Sequence, residues 1–173
     1  AKYPCQLIEA EMAAAYIRQN AEELHIDPEQ LAAVGFSAGG HLCAMLGSCD
    51  NCPDTGDIFK PQVSVKPNVV ILSYPVITRE NKRGHIESFK NLCGADNIEL
   101  QKKVDILNII NENSAPAFIW STFNDGVVPC DNALLAALKY RECNVPVSVH
   151  VFGKGEHGLS LGDMTVYGHT NAI

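Results

Sequence analysis

The sequence predicts an α/β fold, a parallel sheet with helices on both faces, on three observations. Short apolar runs of the kind a buried parallel strand shows recur at 31–35, 69–74, 117–121 and 147–152. Stretches with helical periodicity fall between them. The connections are too long for hairpins, so the strands should be parallel and joined by crossovers. No internal repeat or low-complexity linker interrupts the alternation, and residues 1–173 read as a single domain.

Each element has its own signal. Over 7–24, Ile8, Met12, Ala15, Tyr16 and Leu24 recur at mostly three- and four-residue steps, with Glu9, Glu11, Arg18, Gln19 and Glu22 elsewhere. That predicts a helix, which Pro28 cannot continue. The strand at 31–35 runs into Phe36-Ser37-Ala38-Gly39-Gly40, a turn too tight for large side chains, and a helix with Leu42, Cys43, Met45 and Leu46 follows to about 47–48. Gly, Pro, Asp and Asn mark 49–66 as a loop. Pro75 closes the second strand. Residues 77–94 are polar and read as a surface excursion with a short helix, followed by a helical stretch at 98–104 and a turn or short helix at 106–110. The segment 132–142 reads as an amphipathic helix, Leu134, Leu135 and Leu138 inside and Lys139, Arg141 and Glu142 outside.

Composition narrows the class. A chain of 173 residues is long enough to bury roughly 70% of its unfolded surface in one domain. No run approaches the ~20 apolar residues of a membrane span. The net charge of −7, with Lys and Arg scattered, argues against a nucleic-acid surface. Seven cysteines cannot all pair internally. Cys49 and Cys52 form a C-x-x-C with no second ligand pair at zinc-finger spacing, so they read as reduced thiols in a loop and the others as small buried residues. Reduced thiols imply a cytoplasmic setting. The chain opens Ala1-Lys2-Tyr3 without an initiator Met, so the lack of a targeting segment is uninformative.

The chemistry gathers at three strand ends, where open parallel sheets bind ligands. Gly35-Phe36-Ser37-Ala38-Gly39 fits the G-x-S-x-G nucleophile elbow, in which a strained strand-to-helix turn lifts a serine hydroxyl clear of the sheet. Both glycines are expected there because a Cβ two residues either side of the serine would clash. The third strand leads to Asp125 and the fourth to His157 between Gly155 and Gly158. Singly, Ser37 could be an N-cap, Asp125 a turn residue and His157 a loop histidine. Together, in the chain order Ser, Asp, His used by α/β-hydrolases, they predict a catalytic triad. His157 would take the Ser37 proton and Asp125 would orient the imidazole. Ala38 would supply a backbone N–H to the oxyanion hole. His41 is expected to pack the elbow helix, and His25, His85, His150 and His169 to be structural or surface residues.

These motifs carry a family resemblance. Tyr3-Pro4, Ile26-Asp27-Pro28, Gly35-Phe36-Ser37-Ala38-Gly39-Gly40-His41-Leu42, Leu72-Ser73-Tyr74-Pro75-Val76-Ile77, Asp125-Gly126-Val127-Val128-Pro129 and Lys154-Gly155-Glu156-His157-Gly158-Leu159 resemble the bacterial acetyl-esterase, or acetyl-xylan-esterase-like, branch of the α/β-hydrolases. The resemblance implies hydrolysis of short-chain carboxylic esters, typically acetyl groups on carbohydrates, without a metal or organic cofactor. The branch usually has His where this chain has Ser121, and Asp where it has Asn124. It also places a histidine-glycine-glycine segment and about four strands ahead of the region matched here, so the resemblance implies only the C-terminal part of the sheet. The strand at 31–35 would then be an edge, and a homodimer covering it is expected. Two other readings stand beside the esterase: a prolyl-oligopeptidase-type serine peptidase, and a catalytically silent hydrolase-fold module acting through its edge strand.

Overall fold

The computed structural model describes residues 2–49, 54, 55 and 58–162. Among them, β1 (Ala32–Phe36), β2 (Val69–Ser73), β3 (Ala117–Thr122) and β4 (Val147–Phe152) form one parallel sheet in the order β1-β2-β3-β4. The helices are α1 (Cys5–Gln19), α2 (Ala38–Ser48), α3 (Ile86–Cys93), α4 (Ile98–Lys103), α5 (Ile106–Ile109) and α6 (Asp131–Glu142). The strands thus form where the apolar runs predict them, with β1 at an edge.

Side chains alternate between the faces of a pleated sheet, so residues in register share a face. Val70 pairs with Ala117 and Leu72 with Ile119, and all four are buried in the main core with Met45 of α2 and Ala133 and Ala136 of α6. Helix α2 packs on β1 and β2, and α6 packs on β3 and β4. The intervening row, Val34, Ile71 and Phe118, points to the opposite face, where Val34 is 49% and Phe118 38% exposed. Among the described residues α2 and α6 both pack on the first face and no helix packs on this row, so where helices were expected on both faces of the sheet they cover one. The row leads instead to a small aromatic cluster of Tyr74, Trp120 and Leu159, flanked by Phe36 and Phe152.

Two helices bury a different stripe from the one their apolar pattern predicts. In α1 the buried residues are Leu7, Glu11, Ala14 and Ala15, whereas Met12 and Tyr16 are exposed. The helix ends at Gln19, leaving Leu24 beyond it and exposed. In α6 the buried stripe is Asn132, Ala133, Ala136 and Tyr140, while Leu134 and Leu138 face outward beside Val147 and Val149. The physical reason is the same in both. Paired alanines let each helix approach its neighbours closely, and the core face is completed by a few large side chains, Leu7 and Glu11 in α1 and Tyr140 in α6, rather than by the apolar residues of the periodic pattern.

The cysteines also depart from expectation. Cys5 is exposed, and Cys43, Cys49, Cys93, Cys130 and Cys143 are only partly buried. Cys52 lies outside the described residues. No described helix is long and apolar enough to cross a membrane.

Candidate active site

Strand β1 delivers Ser37 straight into α2. The Ser37 N–H donates to the Ser73 carbonyl at 3.0 Å, and its own carbonyl accepts the Val76 and Gly40 N–H groups, each at 3.0 Å. These bonds hold Ser37 at φ 54° and ψ −118°, a conformation rare for a residue with a Cβ. Such backbone costs on the order of 1–3 kcal/mol and persists only where its surroundings enforce it. Ser37 occupies the N-cap position of α2, but its side chain makes no capping bond to the helix.

The steric expectation for the two elbow glycines holds on one side only. A Cβ on Gly35 would lie 2.2 Å from the Gly39 carbonyl oxygen, but a Cβ on Gly39 would meet nothing within 4 Å. The second crowded position is Gly40, whose Cβ would lie 2.7 Å from the Pro75 Cβ. The helix start is squeezed between β1 and the turn after β2, and Gly39 points away from both.

The turn after β3 presents Asp125, whose side chain is fully buried. Its Oδ1 accepts the N–H groups of Val127 and Val128, both at 2.9 Å, and its Oδ2 faces His157 Nδ1 at 2.7 Å. The loop Asp125-Gly126-Val127-Val128 therefore folds around the carboxylate and leaves one oxygen for the imidazole. His157 arrives on the loop after β4, with Nε2 2.8 Å from Ser37 Oγ. The three residues predicted from strand-end positions come together in one hydrogen-bonded line. With Nδ1–H donating to Asp125, Nε2 is free to accept the serine proton, the tautomer that proton abstraction needs.

The neighbours of this line were less visible in the sequence. Tyr74, φ 37°, meets the His157 ring edge-on at 5.0 Å and accepts the Ser160 N–H at 3.0 Å. Asn124 Oδ1 accepts the Gly155 N–H at 2.7 Å. In the sequence Asn124 stands where the resembled branch usually has Asp and Tyr74 lies in a motif shared with it, but neither signal points to these contacts. Ser121 is buried at the end of β3. Ala38 opens α2, where a backbone N–H has no acceptor within the helix. Beside it lies an apolar cavity of about 280 Å³ lined by Tyr3, Ala38, Gly39, Leu42, Phe89 and Leu92.

The remaining histidines stand apart. His41 is buried in α2, with Nε2 2.8 Å from the Val104 carbonyl and its ring edge-on to Phe89. Burial holds its pKa below the usual imidazole value, against the opposing pull of the Val104 carbonyl and Asp105. His85 Nδ1 lies 2.9 Å from Ser88 Oγ, His150 packs between Phe118 and Phe152 on the open face of the sheet, and His25 sits in a turn. His169 lies outside the described residues. Among the described residues, no group of three His, Cys, Asp or Glu side chains could hold a metal.

A parallel sheet with a strained serine between β1 and α2 defines the α/β-hydrolase fold. The BD-FAE family model matches residues 1–139, and the chain belongs to that family. It is 38% identical over 157 residues to endo-1,4-beta-xylanase B of Butyrivibrio fibrisolvens, a match covering 87% of this chain and 24% of that protein. It is 26% identical over 164 residues to an acetylxylan esterase of Xylanibacter ruminicola, covering 92% of this chain and 32% of the relative. Among solved structures, an acetyl ester-xyloside bifunctional hydrolase from Caldicellulosiruptor lactoaceticus superimposes with a TM-score of 0.86 at 34% identity, covering 96% of this chain and 62% of that one. The chain thus spans a quarter to a third of the curated relatives it matches.

Proposed function

We propose that this chain carries the nucleophile and proton relay of a serine hydrolase that cleaves short-chain carboxylic esters, with acetyl groups on carbohydrates as the preferred class. The observation that carries the reading is the unbroken line from Asp125 through His157 to Ser37, with contacts of 2.7 and 2.8 Å. The acetyl and carbohydrate parts rest on the names of two relatives, an acetylxylan esterase and an acetyl ester-xyloside hydrolase.

Ser37 Oγ attacks the ester carbonyl as His157 Nε2 removes its proton. The oxyanion of the tetrahedral intermediate takes a hydrogen bond from the Ala38 N–H, an interaction that strengthens as charge develops. Asp125 holds the imidazole in its tautomer and stabilises the imidazolium without taking the proton. The carbon–oxygen bond to the leaving alcohol breaks as His157 returns the proton to it. Water, deprotonated by His157, then attacks the acetyl-Ser37 ester and releases acetate and free Ser37. Each proton lent to His157 goes to a leaving oxygen, so the cycle closes without a metal or redox partner.

The test compares wild type with Ser37→Ala on an acetylated xylo-oligosaccharide and on a peptide substrate. The reading expects acetate release that Ser37→Ala abolishes, and no peptide cleavage. Acetate release that survives Ser37→Ala would overturn the nucleophile, and Ser37-dependent peptide cleavage alone would favour a peptidase.

A further inference from the structure

Both ring nitrogens of His157 are committed, one to Asp125 and one to Ser37. Between Gly153 and Ser160 the loop that carries the ring is exposed or half-buried, and in that segment only Leu159 is buried. Packing holds the loop at Leu159, within the Tyr74 and Trp120 cluster, and at the His157 ring against Tyr74. Hydrogen bonds add one set of restraints on each side of the imidazole.

On the near side, both polar backbone groups of Gly155 are bound by residues at the end of β3. Its N–H donates to Asn124 Oδ1 and its carbonyl accepts the Thr122 hydroxyl, each at 2.7 Å. Gly155 has φ +145°, and a Cβ there would lie 2.6 Å from both Thr122 Cγ2 and Leu159 Cδ1. The loop is pressed on to β3 where only glycine fits. On the far side, three residues past His157, Ser160 N–H donates to the Tyr74 phenol oxygen at 3.0 Å. Tyr74 is itself anchored: its N–H donates to the Trp120 carbonyl at 2.6 Å, and its ring packs edge-on against the Trp120 indole at 5.1 Å.

We infer that Asn124 and Tyr74 are positioning residues for His157, clasping its loop from both sides so that Nε2 meets the Ser37 hydroxyl. The inference rests on the triad proposed above. Its logic is geometric. A displacement of about 1 Å at a reacting group can cost on the order of a hundredfold in rate, and Leu159 is the one buried residue of the 153–160 loop that opposes it. Asn124 serves through its side-chain oxygen, so a carboxylate there can accept the same N–H. Tyr74 serves through both its ring and its phenol, and Tyr74→Phe removes only the second.

The experiment measures kcat and KM on p-nitrophenyl acetate for wild type, Ser37→Ala, Asn124→Ala, Asn124→Asp and Tyr74→Phe. Alongside, the low-field proton NMR signal of the His157 Nδ1–H is followed, with thermal melting to verify folding. Asn124→Ala is expected to lower kcat about tenfold or more with KM nearly unchanged, and to broaden or abolish the low-field signal. Asn124→Asp should recover most of that rate, and Tyr74→Phe should lower kcat several-fold. An Asn124→Asp variant as slow as Asn124→Ala would overturn the inference, because the retained acceptor should rescue. So would wild-type kcat in both Asn124→Ala and Tyr74→Phe while Ser37→Ala is inactive, an outcome that leaves the triad standing. An active Ser37→Ala would instead remove the triad on which the inference depends.

Discussion

Gly35 and Gly39 approach each other across the Ser37 turn so closely that a Cβ on Gly35 would sit 2.2 Å from the Gly39 carbonyl oxygen, and 2.8 Å from Cys43 Sγ. The converse does not hold, since a Cβ on Gly39 would enter open space. Backbone is the obstacle at Gly35, and backbone cannot swing aside as a side chain can. Gly35→Ala should therefore destabilise the protein by about 3 kcal/mol. Gly39→Ala should fold as well as wild type, or slightly better through its lower unfolded-state entropy. Denaturant titration of both variants checks this, and equal losses would refute it.

His41 predicts a pH dependence of stability. Burial lowers its folded pKa below the ordinary imidazole value of about 6.5. As pH falls past about 6.5 the unfolded chain takes up a proton that the folded chain refuses, so unfolding is favoured. Stability contributed by neutral His41 is thus complete above that pH and is lost progressively down to the folded pKa. Urea midpoints between pH 8 and 5 should fall more steeply for wild type than for His41→Gln. Parallel slopes would contradict this.

Asn132 is 1% exposed and uses its whole amide. Its oxygen accepts the Ile77 and Thr78 N–H groups, and its nitrogen donates to the Arg83 and Pro129 carbonyls. It ties the segment after β2 to the turn that holds Asp125. Asn132→Ala would strand two N–H groups, at roughly 1–3 kcal/mol for each left unsatisfied. A total loss of about 3 kcal/mol is expected by chemical denaturation; a loss under about 1 would show that the strand ends are held by other means.

Cysteine reactivity should separate Cys5 from Cys43. Cys5 is exposed, whereas burial pushes the Cys43 thiol up to about 11. Because the thiolate is the reactive form, iodoacetamide at pH 8 should alkylate Cys5 in the native protein and spare Cys43. Peptide mass mapping after a short pulse reads this directly, and alkylation of Cys43 at the same rate would refute it.

The strands and the Ser37, Asp125 and His157 positions could be read in the sequence because their signals are local. A buried parallel strand is a continuous apolar run, and the residue after it falls at the ligand-binding end of the sheet. The buried faces of α1 and α6 could not be read this way. Their core stripes are built on Ala14, Ala15, Ala133 and Ala136, which carry a weaker hydrophobic signal than the exposed Met12, Tyr16, Leu134 and Leu138. The contacts of Asn124, Asn132 and Tyr74 were illegible for another reason. Each acts on backbone groups distant in sequence, from Asn124 to Gly155, from Asn132 to Ile77 and from Tyr74 to Ser160. No periodicity records such a contact.

The central claim is that His157, held by Asp125, activates the Ser37 hydroxyl. Mass mapping of the adduct left by a fluorophosphonate, which phosphonylates activated serines, tests it most directly. One adduct, on Ser37, is expected to form rapidly in wild type and to be abolished or slowed by orders of magnitude in His157→Ala. An adduct on another serine, or Ser37 labelling at the wild-type rate in His157→Ala, would contradict it.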